Sequence, residues 1–216
     1  MDTVNQDEYE IVRVILPFIL LLIYIAISSI LLPPFLFFAL LSIVITYIIT
    51  PIGRWVIPVA IAIGFPWWYA GLTIWLLDIL GALFMAWNFG YLFSLPRLGP
   101  YMERVIRRVE EVLGINPWLE RFTAFALLLY VTLPIQGAGA LMGSVIGRFL
   151  GIDAWRVFSI VVIGSLAGSF GMALGSDALR ILLIGNIVLG IAIILLLAGI
   201  MIAGYLHFRA IRRRRL

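Results

Sequence analysis

The feature that most constrains this chain is a set of apolar runs of bilayer-spanning length, two of which are broken midway by proline and glycine. The run from Phe122 to Leu150 is interrupted at Thr132-Leu133-Pro134-Ile135-Gln136-Gly137-Ala138-Gly139. The run from Phe35 to Gly64 is interrupted at Thr50-Pro51-Ile52-Gly53-Arg54, with Pro58 close behind. A helix broken at membrane depth is tolerated only where protein or water satisfies the freed backbone groups, and transporters place substrate sites at such breaks. Composition identifies the solvent. Of 216 residues, 64% are hydrophobic and 12% charged, far more apolar side chain than a soluble domain of this size can bury. The expected fold is an all-α, polytopic membrane protein.

Several chemistries are excluded early. There is no cysteine and a single histidine, His207, so neither a thiolate nucleophile nor a multi-histidine metal centre can form, and no cofactor is expected. No serine or threonine has a plausible base, and the spans lack paired acids, so an enzyme fits poorly. All 15 basic residues are arginine; they report topology rather than nucleic-acid binding. Met1 to Glu10 is polar and acidic, unlike a signal peptide, so the apolar segment that follows is expected to persist.

Along the chain, residues 11–33 read as a first span ending at Pro33-Pro34, and residues 35–93 as a broken hairpin plus a span carrying Asp78. Residues 97–121 form a cytoplasmic segment that is amphipathic from Tyr101 to Leu113. Residues 122–176 read as a second hairpin plus span, and residues 179–207 as a last span before Arg209 and Arg212 to Arg215. The segment from Arg97 to Arg121 and the C-terminal tail carry five arginines each, which places both in the cytoplasm by the positive-inside rule. That placement, with Arg148 and Arg156 inside too, requires Phe122 to Ile146 to enter and leave by the same face. The same bookkeeping makes Phe35 to Gly64 a hairpin entering from outside. The result is about four spans and two oppositely oriented re-entrant hairpins in an inverted repeat, with both termini cytoplasmic. Gly64-Phe65-Pro66-Trp67 and Gly151-Ile152-Asp153-Ala154-Trp155 close the two hairpins.

Two motifs carry a family resemblance. Pro134-Ile135-Gln136-Gly137-Ala138-Gly139-Ala140-Leu141-Met142-Gly143 with Leu150-Gly151-Ile152, and Arg54-Trp55-Val56-Ile57-Pro58 running to Gly64, resemble the signatures of the Putative small multi-drug export protein family. The likeness covers roughly Thr50 to Gly175. That family is similar in architecture to the DedA (VTT-domain) membrane proteins, so the resemblance implies paired hairpins and movement of lipid carriers or phospholipids between leaflets. One departure stands out. The family pattern tends to carry a Glu two positions before the Arg, and here that position is Ile52; Asp78 is the available substitute.

The residues themselves suggest how transport would work. Arg54 is a permanent cation suited to phosphate, and the half-helix beginning near Ala140 points its positive end at the break. Gln136 offers a donor and an acceptor, and Gly137 and Gly139 permit close approach. Asp78, near mid-span, needs a partner, a proton or water. Arg54, Pro58, Pro134, Gln136, Gly137 and Gly139 are therefore the candidate substrate-binding residues. Arg54 and Asp78 are expected to face each other, with Asp78 exchanging the coupling proton. Snorkelling of Arg54 to the interface and a purely structural role for Asp78 are the rival readings. Trp55, Trp67, Trp68, Trp87, Trp118 and Trp155 read as interfacial anchors, and Gly164, Gly168, Gly171 and Gly175 as helix-packing positions. The expected cargo is an amphipathic anion such as a lipid-linked phosphate, moved with protons within the lipid bilayer. A small-molecule exporter and a channel built from the hairpins are the alternatives, and a homo-oligomer is compatible with either.

Overall fold

The computed structural model describes residues 3–50, 52–92, 117–134 and 139–185, with positions 188, 191, 192, 195, 196 and 199; side chains are described from residue 12, except at 91, 92 and 117–121. Every regular element among them is helical: α1 (Thr3–Leu31), α2 (Pro34–Ile49), α3 (Val56–Ile63), α4 (Trp67–Asn88), α5 (Pro117–Thr132), α6 (Ala140–Phe149) and α7 (Ala154–Gly185). Three of these contain stretches long and apolar enough to cross a membrane, Val12–Leu31, Trp67–Asn88 and Ala154–Gly185. The chain divides into two compact units, residues 1–174 and 175–216. In the second, Asp177 and Arg180 pair at 3.9 Å.

In the first unit, α2 with α3 and α5 with α6 are helix pairs whose members are too short to span alone, at 16, 8, 16 and 10 residues, against about 20 for a crossing helix. Contacts give their directions. The Tyr69 hydroxyl donates to Ser28 at 2.9 Å and Tyr24 meets Thr73 at 2.6 Å, so α1 and α4 run antiparallel. The α2–α3 pair leaves and rejoins them at the same end. On the second pair, Gly143 faces Val131 and Gly147 faces Leu127, an antiparallel register. Gly164 lies against the Leu128 carbonyl and Gly168 against that of Thr132, so α7 runs parallel to α5. The Trp75 indole donates to the Val162 carbonyl at 3.0 Å, and Trp87 packs edge-on against Trp155, so α7 is antiparallel to α4 and begins where α4 ends. The two hairpins thus have their bases at opposite ends of α4 and their tips near its middle.

Both hairpins close with the same cap. At the first, Gly64 N–H donates to Ile61 and Phe65 N–H to Ala60; at the second, Gly151 N–H donates to Arg148 and Ile152 N–H to Gly147. This is the Schellman pattern, which needs a left-handed residue at the helix end. Gly64 and Gly151 supply it, with φ of 123° and 75°. The apolar residue that follows each, Phe65 or Ile152, is buried.

Outside, the first unit is apolar: Ile30, Phe35 and Ile49 are more than 70% exposed. In water this would be an aggregation surface, whereas in lipid it is the ordinary exterior. Inside, two apolar clusters form, one around Leu40, Ile57, Phe65 and Ile74 and one around Leu127, Val131, Val157 and Val161.

Some boundaries differ from the sequence reading. Where a break is expected between residues 176 and 179, α7 is unbroken. Gly175 and Ser176 lower helix propensity but remove no backbone donor, unlike a proline. The last expected span beyond Gly185 lies largely outside the described residues, as does the amphipathic stretch from Tyr101 to Leu113.

Candidate functional site

The first hairpin turns through Gly53, whose φ of 59° is readily adopted only by glycine. A single 3-10 turn, Gly53–Trp55, then delivers Arg54 inward and Trp55 outward. Arg54 is 4% exposed and Asp78, on the facing side of α4, is 1% exposed. The guanidinium Nη2 donates to Asp78 Oδ2 at 2.7 Å. Nη1 donates to the Val131 carbonyl, and Nε to Ser169 Oγ at 3.3 Å. All three guanidinium nitrogens are engaged. Each acceptor comes from a different helix: α4, α5 and α7.

Asp78 is held as fully. Besides Arg54, its Oδ1 accepts from the Tyr47 hydroxyl on α2 and from the Ala140 backbone N–H at 3.2 Å. Ala140 is the first residue of α6, with Gly139 as its N-cap, so Asp78 places its carboxylate at the positive end of that half-helix. The ion pair therefore straddles the break in the second hairpin. Arg54 neutralises the carbonyl end of α5, and Asp78 the amide end of α6.

The sequence reading set Arg54 opposite Asp78 and left the helix N-terminus near Ala140 for an external anion. In the structure both the guanidinium and that N-terminus are turned on Asp78. The physical reason is desolvation: an unpaired guanidinium at this depth costs several kcal/mol, and its own carboxylate is the nearest compensation. Snorkelling of Arg54 to an interface is ruled out by the same burial.

The other expected residues divide. Pro134 is exposed, and its carbonyl accepts from the Trp55 indole at 3.1 Å. Trp55 therefore bridges the two hairpin tips, its indole N–H taking a carbonyl that the broken helix frees. Gly139 lies beside Tyr47, whose hydroxyl would be 3.7 Å from a Cβ there. Pro58 sits in the first turn of α3, where its missing N–H costs nothing; it is not brought to the ion pair. Gln136 and Gly137 lie outside the described residues. Trp67, Trp68, Trp87 and Trp155 occupy helix ends.

Three participants were not legible as such. Tyr47 and Ser169 look like ordinary polar residues in apolar runs. Gly168, read as a packing residue, is also what admits the guanidinium: a Cβ there would stand 2.6 Å from the Thr132 carbonyl and 3.1 Å from Arg54 Cζ. Among the described residues no cluster of acids and histidines suits a metal ion.

No curated protein and no solved structure shows significant similarity to this chain. A family model described as Putative small multi-drug export protein matches residues 53–171. The matched stretch runs from the residue before Arg54 to two residues past Ser169, so it holds the whole ion-pair site except Tyr47. Covering more than half of the chain, from one hairpin tip through the second hairpin into α7, that match shows that this membrane protein belongs to the Putative small multi-drug export protein family.

Proposed function

We propose that the protein is a membrane transporter that moves an amphipathic anion, such as a lipid-linked phosphate, between leaflets, with the substrate site at the meeting of two re-entrant hairpins. The observation that carries this reading is the closed Arg54–Asp78 pair across the break. Asp78 occupies the place of an anion: it faces a guanidinium, a hydroxyl and a helix N-terminus. Adding a proton to Asp78 removes its charge and leaves Arg54 unneutralised in a low-dielectric site. An incoming phosphate repays that cost. Proton and anion then each raise the site's affinity for the other, which is the linkage a coupled transporter needs. Movement of one hairpin-containing half against the other would expose the site alternately. Both termini face the cytoplasm in this scheme.

The family description favours a second reading, export of small drug-like molecules. Leaflet-to-leaflet movement of a fluorescent lipid phosphate in proteoliposomes, with and without a pH gradient, separates the two. The native protein should move it faster with the gradient, Asp78→Asn should lose the gradient dependence, and Arg54→Gln should lose movement altogether. Transport of small cations with no movement of lipid phosphate would favour the drug-export reading.

A further inference from the structure

Asp78 is surrounded by three donors of two kinds. Arg54 and the Ala140 N–H can only donate, so neither can hold a carboxylic acid proton. The Tyr47 hydroxyl can donate or accept. It now donates to Oδ1 of the carboxylate; rotated about its C–O bond, it would accept from Oδ1–H of the acid. Among the described contacts of Asp78, Tyr47 is thus the one partner that fits both protonation states. It is also placed at the edge of the site. Asp78 is 1% exposed, whereas Tyr47 is half-buried, at the end of α2 one turn from the exposed Thr50.

We infer that Tyr47 is the relay through which Asp78 gains and loses its proton, an inference that rests on the proton-coupled reading above. The step balances without charging the phenol. A hydronium ion from water admitted when the hairpin tips part gives a proton to Tyr47 Oη as the hydroxyl's own proton passes to Asp78 Oδ1, and the carboxylate becomes a neutral acid. The hydroxyl then turns to accept from that acid, and Arg54 is free to meet the anion. The reverse sequence discharges the proton. Other groups on the elements packed around α4 do not compete. Among the described residues, the charged or titratable side chains turned to Asp78 are Arg54 and Tyr47. The α5 and α7 helices reach it only through Arg54, by the Val131 carbonyl and the neutral Ser169. On α1, Tyr24 is bonded to Thr73, more than a helical turn away.

The test is Tyr47→Phe in the full chain, which keeps the ring and removes the hydroxyl, read with a fluorescent lysophosphatidic acid as probe. Two rates are measured: net movement driven by a pH gradient, and label exchange between leaflets at equal pH, which needs no proton to leave Asp78. The expected result is a fall of about tenfold or more in the net rate with exchange held within about twofold. In an Asp78→Asn background the same substitution should change neither rate. Equal loss of both rates, or retention of both, would overturn the relay. A native protein that moves no lysophosphatidic acid with the gradient would overturn the transport reading itself, and the relay with it.

Discussion

Arg54 and Asp78 meet at 2.7 Å with side chains 3% and 1% exposed, at the one level of the fold where both hairpin tips and the middle of α4 coincide. A buried pair of this kind is costly to assemble and costlier to break, because removing either partner strands the other's charge.

The first prediction follows from that asymmetry. Asp78→Leu alone should destabilise the protein by about 3–5 kcal/mol, and Arg54→Met alone by a similar amount, whereas the double variant should recover most of the loss. Thermal unfolding in detergent would measure the cycle. Additive losses would mean the pair is not coupled as the contacts indicate.

A second concerns two glycines one turn apart on α7. Gly168→Ala places a methyl 2.6 Å from the Thr132 carbonyl and 3.1 Å from the guanidinium, and should cost about 1–3 kcal/mol and depress transport. Gly171 has nothing within 4 Å of a Cβ; Gly171→Ala should be neutral or stabilising by about 0.5–1 kcal/mol. Matching losses at both positions would show that propensity, not close approach, governs this face.

The matching caps make a third. Gly64→Ala and Gly151→Ala force a Cβ onto left-handed backbone, with φ of 123° and 75°, at a cost of about 1–2 kcal/mol each. Asn at Gly151 should cost less than Ala there, since Asn tolerates that region. The comparison needs only melting temperatures of the three variants; Ala better tolerated than Asn would argue against the cap.

Topology gives the fourth. The chain has no cysteine, so single cysteines at Gly64 and Leu150 can be labelled without background by a membrane-impermeant maleimide in whole cells. Gly64→Cys should react from outside, and Leu150→Cys only after permeabilisation. Labelling of position 150 in intact cells would dismantle the opposed-hairpin arrangement.

Much of the architecture is written locally. Apolar runs, their interruption by proline and glycine, and the recurrence of glycine before Phe65 and Ile152 are statements about backbone freedom and side-chain solvation, which depend on neighbours in sequence. They were enough to anticipate helices, the two breaks and the glycine closures. They were also enough to single out Arg54 and Asp78, because an ionisable group in an apolar run is anomalous wherever it ends up. The same local logic placed a break between residues 176 and 179, where the helix runs on because glycine and serine lower propensity without removing a backbone donor.

What no local pattern could hold is who meets whom. Tyr47, Ser169, Gly168 and the Val131 carbonyl are unremarkable in sequence, and Trp55 looks like any interfacial tryptophan. They become a site only because two helix pairs based at opposite ends of α4 bring α2, α4, α5, α6 and α7 together at its middle. Sequence alone determined that this chain lives in a membrane, is helical, and carries Arg54 in a broken apolar run and Asp78 in an unbroken one. Tertiary structure alone decided that the two neutralise each other across the break, since hydrogen-bond partners at that depth are chosen by proximity in space and by the cost of leaving any of them unpaired.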